Sequence, residues 1–231
     1  MSAVNEQPPA WAPGHPAPEA LSRLLLQWGV APVTPAPVAE RLGGWLGWAD
    51  AIGLSQVLST APAAAAGTGS RREAQDWATA ALDRVQADLL NAFDDALLAR
   101  DAAEPAPEHV PLADLLAPFR LHHTQQQRAM AARIATLRER LRPRLAETSG
   151  PLARLAQLDA VFERAALGQE RERLAGLPAL LTQRAATHHA ASPRGWRTRF
   201  WADLQRALRA ELDLRLQPVL GLIEALHQDA A

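Results

Sequence analysis

The sequence predicts an all-α protein: an antiparallel bundle of three long, coiled-coil-like helices with an N-terminal group of shorter helices. Apolar residues recur at helical spacing in three consecutive segments, 119–147, 151–187 and 195–226, and short turns separate these segments. The last segment is the most regular, because an apolar residue recurs every fourth position through Trp196, Phe200, Leu204, Leu208 and Leu212. A helix with such a face needs partners to cover it, so the other helices are expected to pack around it.

Composition narrows the functional classes. The chain has 231 residues, 48% hydrophobic content and a formal net charge of −1, values typical of a globular protein without a whole-molecule attraction to nucleic acid or anionic membranes. It has no Cys, and all 24 of its basic residues are Arg. Thiolate chemistry, phosphate-loop lysines and lysine Schiff bases are therefore excluded. The sequence shows neither a leader pattern nor an unbroken apolar run of ~18 residues, so we expect a cytoplasmic protein without membrane insertion.

Proline-rich stretches divide the chain. Residues 1–18 contain five prolines and few apolar residues, which predicts a disordered tail. Residues 19–100 form the predicted N-terminal helical region, with helices over 19–28, 38–58 and 70–100, the last opened by a capping box at Ser70 and Glu73. Residues 101–110 contain Pro105 and Pro107 and are predicted to be a linker. Residues 111–231 form the predicted three-helix bundle.

Turn residues set the direction of the bundle helices. Ser149, Gly150 and Pro151 make a tight turn in which the proline opens the next helix, so the helices on either side should run antiparallel. A second reversal is predicted at 190–195, with Ser192 as N-cap and Pro193 in the first turn of the last helix. The sequence leaves open whether the apolar seam closes within one chain or across a dimer.

A strip of glycines marks the helix predicted over 38–58. Gly43, Gly44 and Gly47 fall on one side of it, although each glycine costs a helix up to ~1 kcal/mol relative to Ala. Such a strip lets another backbone come close. Either a helix of the same chain packs there, or a partner helix docks with Trp48 as an aromatic anchor. The predicted partner-binding residues are therefore Gly43, Gly44, Gly47 and Trp48.

The first bundle helix is rich in arginine. If this helix binds nucleic acid, the contact would use its arginines together with one arginine of the last helix. The candidates are Arg133, Arg138, Arg140, Arg142, Arg144 and Arg197. A helical wheel, however, divides the arginines between two flanks of the apolar seam: Arg133, Arg140 and Arg144 on one, and Arg120, Arg138 and Arg142 on the other. That arrangement favours arginines that cover the core and pair with acids on neighbouring helices. Both interpretations stay open.

No catalytic or cofactor signature is present. The sequence lacks a phosphate loop, a dinucleotide fingerprint, a zinc-protease motif and a nucleophile elbow. The pairs His122–His123 and His188–His189 are poor metal ligands, because adjacent helical residues point about 100° apart; we expect solvated histidines at helix ends. The prediction is a non-enzymatic protein with no catalytic residues, metal or cofactor.

Three stretches carry a resemblance to a known family. They are AERLGGWLGWADAIGLSQVL (39–58), LARLAQLDAVFERAALGQERERLAGLPALL (152–181) and ALRAELDLRLQPVLGLIEAL (207–226). The chain resembles an uncharacterised proteobacterial family, domain of unknown function 3348. The resemblance implies a genomic context beside MotA/TolQ/ExbB-like proton-channel proteins and OmpA/MotB-like cell-wall-binding proteins, as in Zorya-type anti-phage systems.

Two functional hypotheses follow. The first is an interaction or scaffold protein that binds a helical partner, such as the cytoplasmic tail of a membrane motor subunit. The second is a nucleic-acid-binding effector that uses the arginine-rich helix. Self-association through the apolar seam stays open as a further contact.

Overall fold

The computed structural model describes residues 20–30, 48–59, 71–104 and 109–228, and within these ranges every regular element is a helix. The N-terminal half contains α1 (Ala20–Gln27), α2 (Trp48–Ser59), α3 (Arg71–Phe93) and α4 (Ala96–Ala103). The C-terminal half contains α5 (Leu112–Leu115), α6 (Ala117–Thr148), α7 (Gly150–Ala175), α8 (Leu177–Ala191) and α9 (Trp196–Gln228). The all-α prediction is confirmed. The predicted disordered tail, residues 1–18, lies outside the described ranges.

The C-terminal helix α9 occupies the centre of the fold. It packs against α1, α3, α4, α6, α7 and α8. All five members of the four-residue apolar repeat are buried: Trp196, Phe200, Leu204, Leu208 and Leu212. The ring of Phe200 meets that of Phe119 on α6 edge-on, with centroids 5.5 Å apart. The periodicity of the last segment thus identified the helix that the others cover.

A single residue separates α6 from α7. Ser149 is the N-cap of α7, and its hydroxyl accepts a hydrogen bond from the backbone N–H of Leu152 at 3.3 Å. Pro151 lies in the first turn, where its missing N–H would have no helical partner. The chain reverses here as the sequence predicted, and α7 packs back along α6.

The middle long segment is not one helix. Helix α7 ends at Ala175 and α8 begins at Leu177, so the helix predicted over 151–187 is interrupted. Pro178 lies in the first turn of α8; it has no N–H to donate, and its ring opposes continuation of the preceding helix. The predicted N-cap Ser192 is instead the C-cap of α8, and α9 begins only at Trp196. The arrangement of three unbroken long helices is therefore not the one observed.

The helix predicted over 70–100 is also interrupted. Helix α3 ends at Phe93, and Asp95 caps α4 by accepting hydrogen bonds from the N–H groups of Leu97 and Leu98, at 2.9 and 3.0 Å. An aspartate that binds nearby backbone N–H groups competes with helix continuation. Helix α4 extends to Ala103, and Ala102 is buried, so the predicted linker 101–110 begins inside a packed helix. Ser70, the predicted cap of α3, lies outside the described residues.

One hydrophobic core joins the two halves of the chain. Buried side chains from α1, α3 and α4 belong to the same cluster as those of the C-terminal helices. In α1 these are Leu21 and Leu24, and α1 packs directly on α9. Helices α1, α3 and α4 therefore lie along the C-terminal helices. Among the helices described, none is long and apolar enough to cross a membrane.

Candidate functional site

The break between α3 and α4 leaves a buried carbonyl that side chains satisfy. The Phe93 carbonyl oxygen accepts hydrogen bonds from Gln205 Nε2 at 2.6 Å and from His122 Nε2 at 3.2 Å. In a continuous helix this carbonyl would accept from the N–H of Leu97, which binds Asp95 instead. Side chains from α6 and α9 thus join the backbone N–H of Asp95, which donates to the same carbonyl at 3.1 Å, in place of the helical bond of α3.

The burial of His122 favours its neutral form. Because a carbonyl can only accept, the Nε2 atom facing Phe93 must carry the proton. Burial lowers the pKa of His122 below its usual 6.5, although the nearby Asp95 carboxylate, 3.9 Å from Nδ1, opposes the shift. His122 also lies beside the ring of Trp201, with centroids 5.6 Å apart.

The next residue, His123, belongs to a second buried network centred on Glu211. The Glu211 side chain is fully buried, and its carboxylate accepts hydrogen bonds from His123 Nε2 at 2.6 Å and from Gln127 Nε2 at 2.9 Å. Arg215, one turn along α9, lies 3.7 Å from the same carboxylate and also pairs with Glu170 of α7. The buried acid is therefore compensated by charge and hydrogen bonds from two helices.

The prediction of solvated histidines is wrong for the first pair, whereas His188 and His189 are half-buried in the last turn of α8. His122 and His123 are each only 4% exposed, and both are hydrogen-bonded. His188 binds Asp203 at 2.8 Å, and the ring of His189 meets Trp196 edge-on at 5.7 Å. Adjacent residues on a helix do point in different directions, and in the pair His122–His123 the two directions lead to two different buried networks.

Asp203 forms a third polar cluster, between α8 and α9. It is 3% exposed and accepts hydrogen bonds from Arg184 Nε at 2.9 Å and from His188 Nε2. The Arg184 guanidinium also lies over the ring of Trp28, 5.2 Å from its centroid, near the end of α1. This cluster ties α8 to α9 and brings the segment after α1 against them.

A small cavity opens beside His123, between the first turns of α6 and α8 and the N-terminal half of α9. Its volume is about 210 Å³. The lining is mainly apolar and includes Phe119, Leu181 and Leu204. Few polar side chains reach it, and His123 is the buried one. Cavities with mostly apolar walls and a few placed polar groups are the usual form of small-molecule sites.

The arginines of α6 divide between its neighbours as the helical wheel indicated. On the side facing α3, Arg133 lies 3.5 Å from Asp88, and Arg140 and Arg144 lie over the ring of Trp77 at 5.6 and 4.0 Å. Arg133 and Arg140 line the groove between α3 and α6, and Arg144 lies next to it over the Trp77 ring. They are the nucleic-acid candidates that keep a solvent-facing side.

The other flank is taken up by carboxylates. Arg138 and Arg142 both bind Asp159 of α7, at 2.5 and 2.8 Å, and both reach Glu163. Burial is the largest single influence on the pKa of Arg142 and lowers it. The hydrogen bonds to Glu163 and Asp159 act in the opposite direction, and together with the charges of these carboxylates they raise the pKa. Arg197 is likewise buried, against Asp101 of α4. These three nucleic-acid candidates lie in ion pairs inside the protein.

The predicted partner-binding residues lie at the edge of the described chain. Gly43, Gly44 and Gly47 are outside the described residues, and Trp48 is the first residue of α2. Helix α2 packs on α7, where Arg154 donates a hydrogen bond to the Leu58 carbonyl at the end of α2. Across the described parts of the chain, no group of three or more His, Asp or Glu side chains is placed to hold a metal ion.

Sequence reasoning missed the buried acids, although a signal was present. Glu211 follows Leu208 by three positions on the apolar face of α9, and Asp203 follows Phe200 in the same way. An acid on a buried stripe needs a partner inside the protein. His123 and His188 are those partners.

In its described parts, the chain is an all-helical protein with buried polar networks around a central C-terminal helix. A family model described as Protein of unknown function (DUF3348) matches residues 12–228, and the chain belongs to that family. No curated protein and no solved structure matches it.

Proposed function

We propose that the protein is a non-enzymatic helical interaction protein, a cytoplasmic accessory component of a proton-driven membrane motor or a Zorya-like anti-phage defence complex. The interaction part of this proposal rests on helix α2. The place in a motor or defence complex rests on the genomic context that the family resemblance implies.

Helix α2 is the observation that supports partner binding. It is rich in apolar residues, yet none of its side chains described by the structure is buried. Ile52 is 44% exposed and Leu58 is 52% exposed. By contrast, the shorter α1 buries Leu21 and Leu24 in the core. Apolar side chains gathered on one exposed helix are typical of interaction surfaces.

The proposed partner is a helical segment of another protein. The glycine strip, residues 43–47, directly precedes α2 in the chain, and we propose that the partner contacts both. Glycines allow close approach of two backbones, and an amphipathic helix can place its apolar face against the exposed Ile52. Trp48, at the start of α2, is the proposed anchor.

The test is affinity purification of the tagged protein from its native host, in mild detergent and after nuclease treatment, with identification by mass spectrometry. We expect recovery of a proton-channel subunit. Gly47→Leu and Ile52→Glu should each abolish this recovery, while the circular-dichroism spectrum stays helical.

The matched control is Leu97→Glu, which places the same charge on another exposed leucine. Leu97 is 79% exposed and lies on α4, away from the α2–α7 contact. It should leave recovery unchanged. Equal recovery with Ile52→Glu and Leu97→Glu would reject α2 as the contact surface.

A second candidate function is nucleic-acid binding, and the groove between α3 and α6 favours it. Arg84, Arg133 and Arg140 line this groove, whose volume is about 290 Å³, together with the acidic Asp88. Guanidinium groups along an open groove can contact successive phosphates. The proposed interface is therefore the α3-facing flank of α6.

A gel-shift assay at low salt tests this candidate. Arg140→Gln should weaken binding and reduce the salt slope by about 1, whereas Arg100→Gln, at an exposed arginine on α4, should not. Absence of any retardation at low salt would reject the nucleic-acid function.

A further inference from the structure

Three arginines form the charged walls of the groove between α3 and α6: Arg84 on α3, and Arg133 and Arg140 on α6. All three side chains are exposed, so their guanidinium groups can reach a ligand without disturbing the core. Among the described residues, no carboxylate forms an ion pair with Arg84 or Arg140. Arg133 lies 3.5 Å from Asp88, in a pair whose side chains are 44% and 58% exposed. Pairs this exposed contribute little to stability, so a phosphate can replace the Asp88 carboxylate at low cost.

The arginines follow one another along the groove. Helices α3 and α6 run antiparallel, because Asp88 lies level with Arg133 and Trp77 lies level with Arg144. In this register Arg84 is the next cation along the groove after Arg133, and the second wall arginine of α6 follows it. A helical rise of about 1.5 Å per residue separates successive guanidinium levels by roughly 5 Å. An extended nucleic-acid strand can therefore place neighbouring phosphates at successive arginines.

The floor of the groove is apolar, and a ligand can reach it. Small side chains that are half-buried or exposed form this floor: Ala81, Val85 and Ala132. The groove has a volume of about 290 Å³. Since an apolar cavity of about 150 Å³ holds benzene, one or two base rings fit here. A duplex keeps its base faces stacked inside, whereas a single strand exposes them, so a single strand can bury base surface on this floor.

We propose that this groove binds single-stranded nucleic acid in preference to duplex, with bases on the apolar floor and phosphates along the three arginines. This inference rests on the second candidate function and deepens it, because it names the form of nucleic acid that binds. Contact between a base face and the floor adds affinity that a duplex cannot gain, and it is tolerant of sequence because every base has such a face. The preference for a single strand should be about tenfold.

The test is fluorescence anisotropy of the full chain at low salt, with a short labelled oligonucleotide of mixed sequence and with its duplex. The single strand should bind about tenfold more tightly than the duplex. A plot of the logarithm of its affinity against the logarithm of salt concentration should have a slope of about −2, the value for three phosphate contacts on a single strand. Arg84→Gln should make this slope shallower by about 0.7.

A pair of alanine variants on α6 locates the site. Ala132→Glu places a carboxylate on the floor of the groove, and Ala131→Glu places the same charge at the neighbouring exposed position, outside the lining. Both changes keep a good helix former at an exposed position, so both variants should fold like the wild-type chain by circular dichroism. Ala132→Glu should weaken single-strand binding by about tenfold or more, whereas Ala131→Glu should change it by no more than about twofold.

The outcomes separate this inference from the function on which it rests. If neither form of nucleic acid binds at low salt, nucleic-acid binding is rejected and the inference is rejected with it. If the duplex binds as tightly as the single strand or more tightly, the inference is overturned, while the nucleic-acid function stands. Equal losses in Ala131→Glu and Ala132→Glu would show that the strand binds outside this groove and would also overturn the inference.

Discussion

The ion pairs between α6 and α7 allow a quantitative prediction about Asp159. Its carboxylate is 8% exposed and binds Arg138 at 2.5 and 3.3 Å and Arg142 at 2.8 Å. Asp159→Asn keeps the size of the side chain but removes its charge and turns an NH₂ group toward two guanidinium groups. Glu163 remains as a weaker partner of Arg138, at 3.6 Å. Breaking a buried pair costs roughly 3–5 kcal/mol, and the remaining partner places this case near 3 kcal/mol.

Urea denaturation monitored by circular dichroism measures this loss in the free energy of unfolding. For a chain of this size, about 3 kcal/mol corresponds to a fall in Tm of roughly 6–12 °C. The matched control is Asp88→Asn, which removes the same charge from the exposed pair with Arg133, where the two side chains are 44% and 58% exposed and 3.5 Å apart. That change should cost less than about 1 kcal/mol.

A double-mutant cycle with Arg138→Met isolates the pair. The two changes should be strongly non-additive, since each single variant leaves a buried charge without its main partner. Equal small losses for Asp159→Asn and Asp88→Asn, or additive losses in the cycle, would refute the assignment of Arg138 and Asp159 to a buried, mutually dependent pair.

The remaining predictions concern the break between α3 and α4. Asp95→Ala should cost about 1 kcal/mol in the free energy of unfolding, because two N–H groups lose their cap, whereas Asp95→Asn should keep most of that stability. NMR titration should show the pKa of His122 lowered further in both variants, since the Asp95 carboxylate raises it. Because the folded state binds this proton more weakly than the unfolded chain, whose pKa is near 6.5, the free energy of unfolding should fall as pH drops from 6.5 through the lowered pKa. Chemical denaturation of His122→Asn across this pH range should show a smaller fall in the free energy of unfolding. A pH profile identical to that of the wild-type chain would contradict the lowered pKa of His122.

Apolar periodicity made the helical elements predictable. The four-residue repeat in 196–212 identified the helix at the centre of the fold, and the turn at Ser149–Pro151 was read directly from the residue types. These features are local, because they depend on spacing and on residues with strong backbone preferences. The ends of α3 and α7 were missed because each break depends on one residue, Asp95 or Pro178, within an otherwise regular apolar pattern.

The polar networks could not be placed from the sequence, for a different reason. Which histidine meets which acid depends on the register between helices far apart in the chain, such as His123 of α6 and Glu211 of α9. A wheel for one helix shows that Glu211 lies on the buried face, but it does not show which helix supplies the partner. The same limit applied to the arginines: the wheel separated two flanks and left their neighbours undetermined.

The identity of those neighbours decides how α6 could contact nucleic acid. On the α7 flank, a phosphate would have to displace Asp159 or Glu163 from Arg138 and Arg142, at a cost of roughly 3 kcal/mol or more. A charge-assisted hydrogen bond to phosphate returns only about 1.5–3 kcal/mol. On the α3 flank, Arg140 has no such partner among the described residues and stands over a tryptophan ring instead. Of the candidate arginines Arg133, Arg138, Arg140, Arg142 and Arg144 on this helix, those that face α3 can therefore contact phosphate at the lower cost, and Arg138→Gln should affect folding before it affects binding.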